Sequence, residues 1–233
     1  MAGLAISQQT MRTLQELINT TEPGWPVVKE LIAAANNKVE ILPCNRAAAD
    51  SALYQTQVTT RSPMGAIVHE SGGLLIDNGW IRILGSGHPR LSRSLPGWNN
   101  AKAPATNGIP GFMLVADDAI GGFFAINHNA LGSDSGKIYY LAPDNLEWEA
   151  LDLSYTDFLV FCFSGNLEEF YANLRWENWQ EGVAALNGDL VYNFFPTLWT
   201  AEGKDINKNS RRAIPVEEQF ELNMSFRKRL GLQ

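Results

Sequence analysis

Between residues 74 and 151 the sequence divides into six short segments that are apolar or alternate in polarity, and they fall into three pairs. Residues 74–77 and 80–84 flank Asn78-Gly79, residues 112–117 and 122–127 flank 118–121, and residues 137–142 and 146–151 flank Pro143-Asp144-Asn145. Turns this short join antiparallel neighbours, because parallel strands need crossovers of a dozen or more residues. Asn-Gly is the dipeptide that best tolerates positive φ at both central positions, so a two-residue type I′ turn is expected at 78–79. The stretch 85–111 breaks the pattern. Rich in Gly, Pro, Asn and Ser, it exceeds an ordinary connection and reads as a surface excursion or a binding loop.

Helical signals flank this region. Thr13 and Glu16 form a capping box ahead of Leu14, Leu17 and Ile18. Pro26 stands where a missing N–H costs nothing, and Val27, Val28, Leu31, Ile32 and Ala35 follow at helical spacing. A short strand is expected over 38–42, a helix capped by Asn45 through about Gln57, and another from Ser62-Pro63 to Gly72-Gly73. After the sheet, Ser154 and Asp157 begin a helix ending near Gly165, and a further helical run from Asn166 carries Leu167, Phe170, Tyr171, Leu174, Val183 and Leu186. In the last helix, 215–230, acids occupy the first turn and Arg227, Lys228 and Arg229 the last, which complements the helix dipole. The first ten residues are weakly patterned and read as a leader, disordered or added ahead of the natural start. Residues 11–233 are read as a single domain with its sheet core at about 74–151 and a helical extension at about 154–233.

With 233 residues and 24 aromatic side chains, the chain has enough apolar material to build a core, which argues against disorder and disulfide scaffolds. Cys44 and Cys162 match no ligand or redox spacing and read as reduced thiols. No apolar run is long enough to span a bilayer and no signal peptide is evident, so the cytoplasm is the expected compartment. The net charge of −7 is unevenly distributed. Residues 78–116 contain Arg82, Arg90, Arg93 and Lys102 and no acid, whereas residues 117–181 hold twelve acids against Lys137 and Arg175. An acidic stretch of that kind disfavours nucleic acid and suits either a solvated face or a steering surface for a basic partner.

Motifs for bond-breaking chemistry are lacking. His69, His88 and His128 have no partner histidine at ligand spacing, so neither a metal nor a cofactor is expected. Residues 132–137, GSDSGK, are one residue short of a phosphate-binding loop and have Asp134 where a nucleophile elbow needs serine. A convergence of His88 and His128 with a carboxylate would support a small-molecule or metal-dependent enzyme, which is the alternative reading. Trp80 and Trp148 suit packing on a sheet face, while Trp25, Trp98, Trp176, Trp179 and Trp199 suit an interface or satellite clusters under loops equally. Lys204, Lys208, Arg211 and Arg212 lack interleaved aromatics and read as a solvated linker.

The residues MRTLQEL at 11–17 and SGGLLIDNGW at 71–80 resemble the bacterial domain-of-unknown-function family 2625. More distantly, FMLVADD at 112–118, IGGFFAI at 120–126, GKIYY at 136–140 and SYTDFL at 154–159 are similar to the SUKH superfamily, in which helices precede an antiparallel sheet and a closing helix follows it. That second resemblance implies a protein-binding scaffold, with some members neutralising polymorphic bacterial toxins. The long 85–111 segment and residues 165–233 depart from the usual smaller domain.

The expected fold is therefore α+β and SUKH-like: an antiparallel sheet of about six strands flanked by N- and C-terminal helices. The expected function is non-enzymatic binding of a basic, toxin-like protein through Asp117, Asp118, Trp98, Trp176, Trp179, Glu168 and Glu169. A homodimeric assembly protein is the third reading. Neither nucleic acid nor membrane is an expected partner.

Overall fold

The computed structural model describes residues 11–100, 102, 105–106 and 109–232; the leader expected over residues 1–10 lies outside them. In chain order its helices are α1 (Leu14–Leu17), α2 (Trp25–Ala33), α3 (Arg46–Thr56), α4 (Pro63–Glu70), α5 (Leu95–Asn99), α6 (Tyr155–Ser164), α7 (Leu167–Phe170), α8 (Trp179–Ala185) and α9 (Val216–Leu230). The strands are β1 (Val39–Leu42), β2 (Gly73–Ile76), β3 (Ile81–Leu84), β4 (Ala105–Thr106), β5 (Ile109–Pro110), β6 (Phe112–Asp118), β7 (Phe123–Asn127), β8 (Ile138–Leu141), β9 (Trp148–Ala150), β10 (Leu190–Phe195) and β11 (Ser210–Pro215).

The expected antiparallel sheet is present with seven strands rather than six, in the order β1-β2-β3-β6-β7-β8-β9. The seventh is β1, which pairs antiparallel with β2 through Val39 opposite Ile76 and Leu42 opposite Gly73. Every residue of β2, β3, β7 and β8 is buried, so both faces of the sheet centre are covered. Adjacent residues of β7 show what covers each face. Phe123 meets Phe220 of α9 with ring centroids 5.0 Å apart, while Phe124 meets Phe158 of α6 at 4.9 Å. Successive strand side chains point to opposite faces, so α9 and α6 lie on opposite sides of the sheet.

The capping signals form as read. Thr13 and Ser154 make full capping boxes with Glu16 and Asp157, and Asn45 and Ser62 accept from Ala48 N–H and Gly65 N–H. Three local expectations are corrected. Asn78-Gly79 is not a two-residue turn: β2 and β3 are joined by four residues, with positive φ at Asp77, Asn78 and Gly79. The wider loop lets Trp80 turn into an aromatic cluster and Asp77 reach Arg175 at 2.6 Å. The helical run after Asn166 is two short helices, α7 and α8, with Asn173 and Asn178 at positive φ between them. The C-terminal extension is also not wholly helical. Residues 190–195 and 210–215 form an antiparallel ribbon, which places Arg211 and Arg212 in β11 rather than in a linker.

The described part of the segment 85–111 folds back onto the body. It carries α5, capped by Ser94, and the small β4–β5 ribbon, and it buries Leu91, Leu95 and Trp98. Asn99 fixes α5 to β6, the central strand of the sheet, accepting from Leu114 N–H at 2.7 Å and donating to Leu114 C=O at 2.7 Å.

Candidate functional site

The densest polar constellation lies at the end of β6, where an apolar strand finishes in Asp117-Asp118. Register brings the partners together, because Arg82 of β3 stands directly opposite Asp117 of β6. Arg82 is 1% exposed and Asp117 0%. The Arg82 Nε donates to Asp117 Oδ1 at 2.7 Å, and Arg82 Nη2 donates to the Asp118 carbonyl at 2.9 Å. The second Asp117 oxygen accepts from Arg93 Nη1 at 2.5 Å, and Arg93 Nε donates onward to Asp189 at 3.2 Å. Two arginines and two carboxylates thus tie β3, β6, the 85–94 segment and the start of β10 into one network. Arg93 Nη2 also donates to the Gly188 carbonyl at 2.8 Å. Burial works against the Asp189 carboxylate, and hydrogen bonds from Ser92 with the neighbouring Arg93 overcome it, so its pKa falls below the usual range.

Asp118 performs a different task. Its Oδ1 accepts from Ile120 N–H at 3.1 Å and Gly122 N–H at 2.7 Å, closing the β6–β7 turn. Its Oδ2 accepts from the hydroxyls of Tyr140 at 2.7 Å and Tyr171 at 3.2 Å. Burial raises the Asp118 pKa against the hydrogen bonds that favour its charge, and raises both tyrosines well above theirs. A perturbed acid next to two phenols resembles a proton-transfer group, but Asp118 is 0% exposed, so within the single chain it holds a turn. Gly122 is required there, since a Cβ would lie 2.3 Å from Asp118 Oδ2 and 2.4 Å from Tyr140 Oη.

Beside this network Arg175 sits among aromatic rings. Its guanidinium lies 4.0 Å from the Trp179 ring centroid, 4.8 Å from Trp80 and 5.5 Å from Tyr171. Trp80 makes edge contacts with Tyr171 and Trp179 and a tilted contact with Trp176, while Arg211 covers the Trp176 ring at 4.4 Å. Arg175 also pairs with Asp77 at 2.6 Å and Glu168 at 3.0 Å. Trp98, on the α9 side of the sheet, lies between Arg93 and Lys102 and touches Phe220.

The residues expected to form a binding surface are thus divided. Asp117, Asp118, Trp98, Trp176 and Trp179 are buried in the chain's own interior, whereas Glu168 and Glu169 face solvent on α7. Arg82, Arg93, Asp189, Tyr140, Tyr171 and Arg175 were not singled out from the sequence as site residues. Arg82 carried a signal, being a charge between Ile81 and Ile83 in a strand that the sheet buries; Asp189 and Arg175 carried none, since their partners are distant in sequence.

The histidines are dispersed in their contacts. His88 Nδ1 accepts from Arg90 N–H, and His128 Nδ1 lies 3.2 Å from the Pro110 carbonyl. His69 is buried on α4, with Nδ1 2.7 Å from Glu70 and Nε2 3.1 Å from Asp50 and 2.7 Å from Arg46 Nη1. Among the described residues no group of three or more His, Cys, Asp and Glu is placed to hold a metal ion, and no helix is long and apolar enough to cross a membrane. Cys44 and Cys162 are free, and burial pushes the Cys162 thiol up.

Residues 14–219, spanning most of the helices, the whole seven-strand sheet and both strands of the C-terminal ribbon, match the family described as "Protein of unknown function DUF2625". The chain belongs to the DUF2625 family. Its relatives include the "Putative uncharacterized protein YbfG" of Escherichia coli, 44% identical over 212 residues that cover 91% of this chain and 95% of that protein. An "Uncharacterized protein" of Haemophilus influenzae is 38% identical over 223 residues, covering 95% of this chain and 98% of the relative. Within the DUF2625 match lie all four members of the Arg82–Asp117–Arg93–Asp189 network and the Asp118 turn.

Proposed function

We propose that this DUF2625 protein is a non-enzymatic binding module whose partner is a basic protein, of the toxin and immunity-protein type that its SUKH-like sequence pattern implies. The observation that carries this reading is the way folding sorts the acids. Of the twelve acids between residues 117 and 181, Asp117 and Asp118 enter the interior, and nine are exposed, among them Asp157, Glu168, Glu169, Glu177 and Glu181. The two cations of the same stretch are occupied. Arg175 is buried against Asp77 with Glu168 on its outer side, and Lys137 Nζ donates to the Asp152 carbonyl. The stretch therefore gives the surface an excess of acids, a charge that accelerates encounter with an opposite charge and disfavours like-charged partners.

The test is affinity capture from the native cell with the intact chain and with a variant in which Glu168, Glu169 and Glu177 become lysine, followed by mass spectrometry and association kinetics across a salt series. A stoichiometric basic protein held by the wild type and lost or slowed by the variant is the expected result. Equal capture by both proteins, with the same salt dependence, would remove the acidic surface from the reading.

A further inference from the structure

The last turn of α9 and the loop that follows β7 enclose a cleft of about 640 Å³, within the range that holds a small ligand. Phe112 and Trp148 form its aromatic side, with ring centroids 5.5 Å apart, and Leu131, Met224 and Leu232 add apolar wall. Arg227 and Lys228 are the charged residues among the described lining, and no acid is among them, although the chain as a whole carries −7. Arg227 is buried, donates through Nη1 to the Leu146 carbonyl and lies in the field of Glu147, so it belongs to the wall and Lys228 is the cation that a ligand reaches. Lys228 is exposed on the same turn. The carbonyls at this helix end would oppose an anion, but those of Lys228 and Arg227 are taken up by Gly231 N–H at 3.3 Å and Leu232 N–H at 3.0 Å.

An apolar trough with a cationic end fits a molecule with an apolar body and a negative head. We propose that this cleft binds a single-chain amphipathic carboxylate, its hydrocarbon tail against Phe112 and Trp148 and its carboxylate at Lys228. The tail takes apolar surface out of water and the carboxylate meets the exposed ammonium of Lys228. The site shares none of the exposed glutamates of the protein-binding surface and does not depend on that reading.

The experiment titrates decanoate, below its micelle threshold, into the intact protein and follows heat and tryptophan fluorescence, with decanol and decyltrimethylammonium as uncharged and opposite-charge controls. Saturable one-to-one binding of decanoate, tighter than either control, is expected. Lys228→Glu should weaken it about fivefold, the scale of a solvent-exposed charge contact, and Lys228→Arg should retain it. Leu131→Trp, which fills the trough from a half-buried position, should abolish it. Absence of saturable binding, equal affinity for decanol, or indifference to both Lys228→Glu and Leu131→Trp would overturn the proposal. So would light scattering that finds a dimer in which the cleft is closed to decanoate.

Discussion

The same side chains meet opposite fates at two places in this protein. At the end of β6, Asp117 is drawn inside because register sets it against Arg82 and the folded 85–94 segment delivers Arg93 to its other oxygen. On α7, Glu168 and Glu169 stay in water, and Glu168 remains 80% exposed even while touching Arg175. The difference lies in the surroundings rather than in the residues: a carboxylate enters a sheet interior only where donors already wait for both of its oxygens. Interior acids then hold elements together, while surface acids set the field that another molecule meets.

The sharpest way to break this contrast is Asp117→Ala, which leaves Arg82 and Arg93 buried without their shared carboxylate. It should cost about 3–5 kcal/mol, read by denaturant unfolding, and a loss under 1 kcal/mol would show that the network adds little once folding is complete. Gly122→Ala should follow, at about 1–3 kcal/mol, because the new methyl presses on Asp118 and Tyr140.

Asp118→Asn sharpens the comparison within the interior and should cost less than Asp117→Ala, since burial already penalises the charge that it removes. The sign follows from the raised pKa. Asp118 binds its proton more tightly when folded, so its contribution is full below the unfolded carboxylate pKa and is lost as pH rises through the folded value. The variant should flatten that component of a pH–stability profile measured upward from acid, and identical profiles would count against a raised pKa. The smallest effect on stability is expected at the surface. Replacing Glu168, Glu169 and Glu177 by glutamine should leave the unfolding midpoint almost unchanged, whereas a drop comparable to that of Gly122→Ala would mark these acids as structural.

Much of the fold was legible locally. The three paired apolar segments became β2–β3, β6–β7 and β8–β9, and the caps at Thr13, Asn45, Ser62 and Ser154 formed because each depends on residues three positions apart. Less legible was everything set by a distant partner. Asn78-Gly79 carried the right positive-φ preference, but the loop widened to satisfy Trp80 and Arg175, contacts that sequence spacing does not reveal. The β10–β11 ribbon was obscured because β11 is exposed at five of its six positions and so lacks an apolar run.

The candidate site was legible only in part. Asp117 and Asp118 were singled out as members of the acidic 117–181 stretch, yet their depth depends on Arg82, Arg93 and two tyrosines contributed by four other segments. Trp176 and Trp179 suited an interface or a satellite cluster equally, and which neighbours they meet, the chain's own Arg175 and Trp80, was not readable from spacing. Local pattern determined an α+β chain with a central antiparallel sheet, because turn chemistry and polarity period act between near neighbours. Which acids would be buried, which rings would enclose a cation and where an apolar cleft would open were decided only by tertiary structure, since each depends on residues tens of positions apart meeting at atomic distance.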